Sequence, residues 1–370
     1  MSPCMSRRML PLAALLLAGT LAALAPSSAS AQAQAQAPYA VRVFAQAPPN
    51  TTQPDSIVAW RDRIIVGFQN NVAKDGSDGK SSTIVEFSLS GEPQRSFTVP
   101  GHNDGLRVVG DDQLWALQNE DANPNLVVID LRSGAATPYT FAPTPHGGGY
   151  DDLVVGADGA VYLTASNPNL NSAGINVFPA LVRARLWKGT VLLETVLYGN
   201  GSATDIASGS AVTLNLTDPD SMTRDLKGNI VFTSQADSVL VFVRRPGEGD
   251  QSVGRLDLSS TATGPGGALI TIDDTTFTPP GAEYLLVTDV GGGTIYRVDR
   301  SEFGFEPGQA YSVSDTAGIV GTLNLDNGVI TPIVTGLVSG RGLQFVGARA
   351  ARGRRLALKR GCARRYCGGT

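Results

Sequence analysis

Cysteine is almost absent: the chain has three in 370 residues, Cys4, Cys362 and Cys367, all at its ends. A disulfide framework is therefore excluded for the body of the chain. Histidine is scarcer still, with only His102 and His146. No stretch after residue 25 reaches the roughly 18 to 20 continuous apolar residues that a membrane-spanning helix needs. A Gly-x-Ser-x-Gly nucleophile elbow is missing, and no long helical periodicity competes with the alternating pattern described below.

The ends differ from the middle. Arg7 and Arg8 precede an apolar run from Leu10 to Ala25 and a small-residue site at Ala29-Ser30-Ala31, the layout of a secretory signal cleaved near Ala31. Thr20 stands where a lipoprotein would carry its lipidated cysteine. A secreted or periplasmic product without a lipid anchor is expected. Residues 347–370 are rich in arginine and poor in strand signal, and read as a basic, disordered tail. Setting aside the ten basic residues of these two ends leaves 19 against 33 acids, so the body carries about −14. Such a surface repels nucleic acid and attracts cations.

One phrase recurs: Asp, a small or polar residue, an aliphatic, then a turn and an alternating strand. It appears in PDSIVAWRDRIIVGFQN from Pro54, NDGLRVVGDDQLWALQN from Asn103, YDDLVVGADGAVYLTASN from Tyr150 and PDSMTRDLKGNIVFTSQ from Pro219. GGALITIDD, leading into AEYLLVTDVGGGTIYRVDR, and SGRGLQFV are weaker echoes. The spacing of Asp55, Asp104, Asp151 and Asp220 is about 50 residues, widening where 169–181 and 200–215 read as inserted loops. A unit of that size holds four short strands. The expectation is an all-β, six-bladed β-propeller of four-stranded antiparallel blades over residues 39–346. Tyr39 to Ala45 would close the ring as the outer strand of the last blade, beside GRGLQFV. Trp60 and Trp115 are assigned to matching second strands and inter-blade core, and Gly291 to Gly293 to a hairpin turn rather than a phosphate cradle. Asp75 to Gly79 lacks the last ligand of an EF-hand loop and reads as a solvated turn.

In a propeller the innermost strand begins at the channel mouth, so the repeated Asp either caps its own turn or presents a carboxylate to the axis. In the second case Asp55, Asp104, Asp151 and Asp220 would hold protons or a divalent cation, with Ca²⁺ suited to oxygen donors. His102 and His146 each precede an anchor and are candidate bases at the same face.

Asn103-Asp104-Gly105 and PDSMTRDLKGNIVF resemble the NDG and PDG motifs of the regucalcin and gluconolactonase family, six-bladed propellers that bind a divalent cation and open lactones. The resemblance implies Asn103 and Asp220 as ligands and Asp104 as a substrate-side residue, with Asp151 in place of a second Asn. The family's early Glu has no counterpart, since its blade position falls at Arg341-Gly342; the metal motif is incomplete. The reading is thus a monomeric binding protein for a small-molecule or surface ligand at an acidic, cation-occupied channel mouth. A Ca²⁺-dependent lactonase or esterase is the alternative, with His102, His146 and Asp104 as its catalytic candidates.

Overall fold

The structure, a computed structural model, describes residues 33–263, 268–301 and 303–347. The signal at 1–31 and the basic tail, apart from Gly347, lie outside the described residues. Strand pairing among the described residues resolves into six four-stranded antiparallel blades. Blade I holds Pro54–Trp60, Arg63–Phe68, Ser81–Ser88 and Pro93–Pro100, and blade II holds Asn103–Val109, Gln113–Gln118, Asn125–Asp130 and Ala136–Phe141. Blade III runs Tyr150–Val155, Val161–Ala165, Pro179–Trp187 and Thr190–Tyr198, and blade IV Pro219–Arg224, Ile230–Ser234, Val239–Arg244 and Ser252–Asp257. The first strand of each is innermost. Around the axis every inner strand touches the next, and that of blade VI, Gly340–Gly347, returns to Pro54–Trp60. The ring is closed.

Blades V and VI are interleaved. Asp274–Phe277 pairs with Ala310–Ser314, followed by Ile319–Leu323 and Val329–Thr335, to make blade V. The intervening hairpin, Ala282–Asp289 with Thr294–Arg300, crosses to Gly340–Gly347 and forms the middle of blade VI. This corrects the expectation that AEYLLVTDVGGGTIYRVDR belongs with the anchor just before it. Tyr39–Gln46 does supply the outer strand of blade VI, but it pairs with Thr294–Arg300, and two strands separate it from Gly340–Gly347. The expected loop at 200–215 contains two short strands, Ser202–Asp205 and Ala211–Thr213, which extend the outer edge of blade IV. Blades II and III are joined at their outer edges by a short parallel pairing, Thr140 with Thr190 and Phe141 with Val191.

The core follows from the period-2 rule. A propeller blade is buried on both faces, so successive side chains of a middle strand serve opposite neighbours. In Arg63–Phe68, Ile64 and Val66 pack against Tyr284 and Leu286 of blade VI, whereas Ile65 packs against Leu106 and Leu114 of blade II. Six apolar clusters result, one at each junction between adjacent blades. Trp115 is buried in the cluster between blades II and III. Trp60 corrects the expectation of a matching position: it ends an inner strand, and its indole N–H donates to the Asp111 carbonyl at 2.8 Å. Among the described residues no helix is long and apolar enough to cross a membrane.

Candidate functional site

Each of blades I to IV opens its inner strand with the same irregularity. Pro54 pairs with Phe68 and Ile57 with Val66, so three steps on one strand face two on the other. The same extra residue appears between Asn103 and Leu106, Tyr150 and Leu153, and Pro219 and Met222. Blade VI has it between Gly340 and Leu343. These are β-bulges, which re-aim side chains that a regular ladder would send between the sheets. The bulged residues are the repeated Asp, or Arg341 in blade VI, and the residue that follows, which is small except for Asp152 in blade III.

The small residue is needed because neighbouring inner strands approach closely here. A Cβ on Gly342 would lie 2.6 Å from the Asp55 carbonyl oxygen, and one on Gly105 would lie 2.7 Å from that of Asp151. Ser56 donates its hydroxyl to the Asp104 carbonyl, and Thr288 donates to that of Asp55 at 2.7 Å. Asp152 and Asp274 take a different part, accepting the backbone N–H of Met222 and of Leu343, each at 2.8 Å, across the blade boundary.

The result is one axial cavity of about 320 Å³ into which Asp55, Asp104, Asp151 and Asp220 all turn. Glu120, Asp273 and Arg341 join them, while Arg107 and Arg224 line it further along the inner strands. The other sequence candidates lie off its wall. Asn103 is fully buried, and its side-chain amide donates to the Leu117 carbonyl at 2.9 Å, between strands of its own blade. His146 is buried against Tyr150, with Nε2 on the Gly149 carbonyl at 2.7 Å. His102 stands behind the ring, its Nδ1 2.8 Å from the Val72 carbonyl and its Nε2 3.9 Å from Glu120.

So many carboxyls in one buried space cannot all ionise. Burial first, then the charges of Glu120 and Asp55, push Asp104 well above the ordinary carboxylate range. Asp151 and Asp220 rise likewise, through burial and then the charges of Asp220 and Asp273 respectively. Asp273 is pushed up to about 7 by burial, against the pull of Arg341, whose Nη1 donates to it at 2.8 Å. Glu120 is the exception. Burial works to raise it, but hydrogen bonds with Asp151 and Asp104 and the ammonium of Lys74 outweigh burial and bring it down to about 2. Glu120 is thus held down while the two acids beside it, Asp104 and Asp151, are pushed up. Gln69 links Asp55 and Asp104 by donating from one amide to both.

No family model matches the chain, and no curated protein matches it. Among solved structures it is similar to a streptogramin B lyase at 13% identity and a TM-score of 0.47, covering 83% of this chain and 98% of that one. The virginiamycin B lyase of Staphylococcus aureus is similar at 11% identity and a TM-score of 0.46, over 85% and 90% of the two chains. The periplasmic gluconolactonase of Pseudomonas aeruginosa is similar at 13% identity and a TM-score of 0.42, over 80% and 88%. At these values no residue of those proteins is carried over to this chain.

The donors fit a divalent cation. The cavity wall offers oxygen ligands from aspartates of blades I to V and from Glu120, and His102, Asp104 and Glu120 place ligand atoms within 4.8 Å of one another. Asn103 would have to rotate out of its backbone contacts to take part. Glu120, Lys74, Asp273 and the pairing role of Arg341 did not emerge from the sequence. Asp273 and Arg341 occupy the repeat position and were within reach of the same pattern. Glu120 and Lys74 lie in connections that no periodicity marks.

Proposed function

We propose that this chain is an exported, monomeric binding protein that takes a small polar ligand at the axial cavity, with a divalent cation neutralising the carboxylate ring. One observation carries the reading: five of the six blades deliver a buried carboxylate, in or just before the inner strand, to a single cavity. Two carboxylates about 6 Å apart at an effective dielectric of about 20 repel by roughly 3 kcal/mol. A fold that gathers several must hold protons, a cation or a positively charged ligand. Oxygen donors of this kind suit Ca²⁺ and similar hard ions. The acidic body argues against nucleic acid as the partner, and the signal-like N-terminus supports a secreted or periplasmic location.

Melting in chelator and in Ca²⁺, Mg²⁺, Mn²⁺ or Zn²⁺ tests this. A ligand bound only to the folded state stabilises it by about 4 kcal/mol at a thousandfold excess over its dissociation constant. An unchanged melting temperature with every cation would remove the proposal.

A cation-dependent lactonase or esterase is a second reading, favoured by Asp273. Its carboxyl, poised at about 7 beside Arg341, can exchange a proton near neutrality next to a cation suited to a developing oxyanion. His146 and Asn103, turned away from the cavity, would have no direct part in that chemistry. A screen of lactones and aryl esters tests it, with Asp273→Asn and Asp220→Ala as controls. Hydrolysis that persists in both variants sinks it.

A further inference from the structure

We infer that the cation sits at one corner of the ring, held by His102 Nε2 with the carboxylates of Asp104 and Glu120, and that it is a nitrogen-accepting first-row cation of the Zn²⁺ or Mn²⁺ class rather than Ca²⁺. This rests on the reading that the cavity binds a divalent cation and specifies where and which. Three observations meet at this corner. The ligand atoms of the three residues lie within 4.8 Å of one another. Donors bound to one ion at about 2.0 to 2.2 Å stand roughly 3 to 4.3 Å apart, and His102 Nε2 is 3.9 Å from Glu120 Oε1. That is too long for a hydrogen bond and right for two ligands of a common ion.

The second observation is an orphaned atom. His102 is only 4% exposed, and its Nε2 has no hydrogen-bond partner among the described residues. A buried polar atom left unpaired is destabilising, and an ion in front of it would relieve that. The third is the other ring nitrogen. Nδ1 lies 2.8 Å from the Val72 carbonyl, which can only accept, so Nδ1 carries the proton. Metal-binding histidines are oriented in this way by a backbone or carboxylate acceptor behind them, leaving the distal nitrogen unprotonated. Imidazole beside carboxylates favours Zn²⁺, Mn²⁺ and their neighbours over Ca²⁺, which takes oxygen alone.

Lys74 is the resident competitor. Its half-exposed side chain reaches Glu120 from the solvent side, so an arriving ion shares that carboxylate with the ammonium or displaces it into water.

The chain has two histidines, which makes the test direct. Untagged, ¹⁵N-labelled full chain is titrated with Zn²⁺, Mn²⁺ and Ca²⁺, with binding followed by calorimetry and the imidazole nitrogens by NMR. We expect one Zn²⁺ per chain, a shift of the His102 Nε2 resonance out of the free range, and an unmoved His146 as internal control. Mn²⁺ should broaden His102 selectively. In His102→Asn the amide nitrogen can still donate to Val72 while the distal ligand is gone. Its Zn²⁺ affinity should fall by more than the about 10- to 100-fold typical of outer-shell losses. Should a cation bind and stabilise the fold while both histidine spectra stay unchanged, the assignment to this corner is overturned and the broader reading of the cavity stands. Should none of the three ions bind, both fall.

Discussion

Raising the pH from 5 to 8 in chelator should destabilise this fold, opposite to the usual behaviour of a protein rich in paired carboxylates. Unfolded aspartates titrate near 3.9. In the folded chain Asp273 is pushed up to about 7, and Asp104, Asp151, Asp220 and Asp274 are also pushed up, each chiefly by burial. Between the two sets of values the native state holds more protons than the unfolded one, so stability falls as pH rises. The contribution is fully present below about pH 4 and is lost as each folded value is passed. For Asp273 alone, a rise from about 4 to about 7 corresponds to on the order of 4 kcal/mol over its whole titration, of which roughly 3 kcal/mol is lost between pH 5 and 8, a large part of the 5 to 15 kcal/mol typical of a whole domain. Glu120, brought down to about 2, acts in the opposite sense, but its contribution is lost only as pH falls below about 4.5, outside this range. His146, lowered by burial, favours higher pH up to about 6.5, one imidazole against five carboxyls. Urea unfolding at pH 5, 6, 7 and 8 measures the slope directly, and a saturating divalent cation should flatten it by holding the carboxylates ionised. Stability in chelator that is level or rising from pH 5 to 8 would refute the account of the ring.

The remaining expectations concern single positions. Ile65→Ala empties part of the junction between blades I and II and should cost about 2 to 5 kcal/mol in chemical denaturation. Gly342→Ala places a methyl against the Asp55 carbonyl where blades VI and I meet. It should destabilise by about 1 to 3 kcal/mol, whereas the same change at Gly189, whose Cβ position is open, meets only the strain of its positive φ. Lys74→Met removes the competing ammonium beside Glu120 and should tighten divalent-cation binding by calorimetry; weaker binding would mean that Lys74 supports the site instead.

Blade count and the acidic ring were legible because both are local and repeated. A strand buried on two faces writes a continuous apolar run, as in RIIVGF, VYLTA and IVFTS. The bulge that turns each Asp inward writes Asp followed by a small residue, seen at Ser56, Gly105 and Ser221, with Arg341 before Gly342 in blade VI. Strand allocation in blades V and VI was not legible. Both blades present similar two-faced apolar strands, and nothing within 274–300 tells a hairpin which neighbouring inner strand it will join. The choice is fixed by the pairing of Gly340–Gly347 with Ala282–Asp289, partners more than 50 residues apart in sequence.

Site chemistry divides along the same line. The amino-acid order by itself determined an all-β chain, the recurrence of Asp55, Asp104, Asp151 and Asp220, and the acidity of the body, because period, turn residues and charge are properties of short segments. Only the tertiary structure decided that Asn103 points into its own blade, that Glu120 and Lys74 enter from connections, and that Arg341 offsets Asp273 across a blade boundary. Those facts depend on which residues closure of the ring brings within a few ångströms, and charge repulsion, burial and shared protons act only at that range.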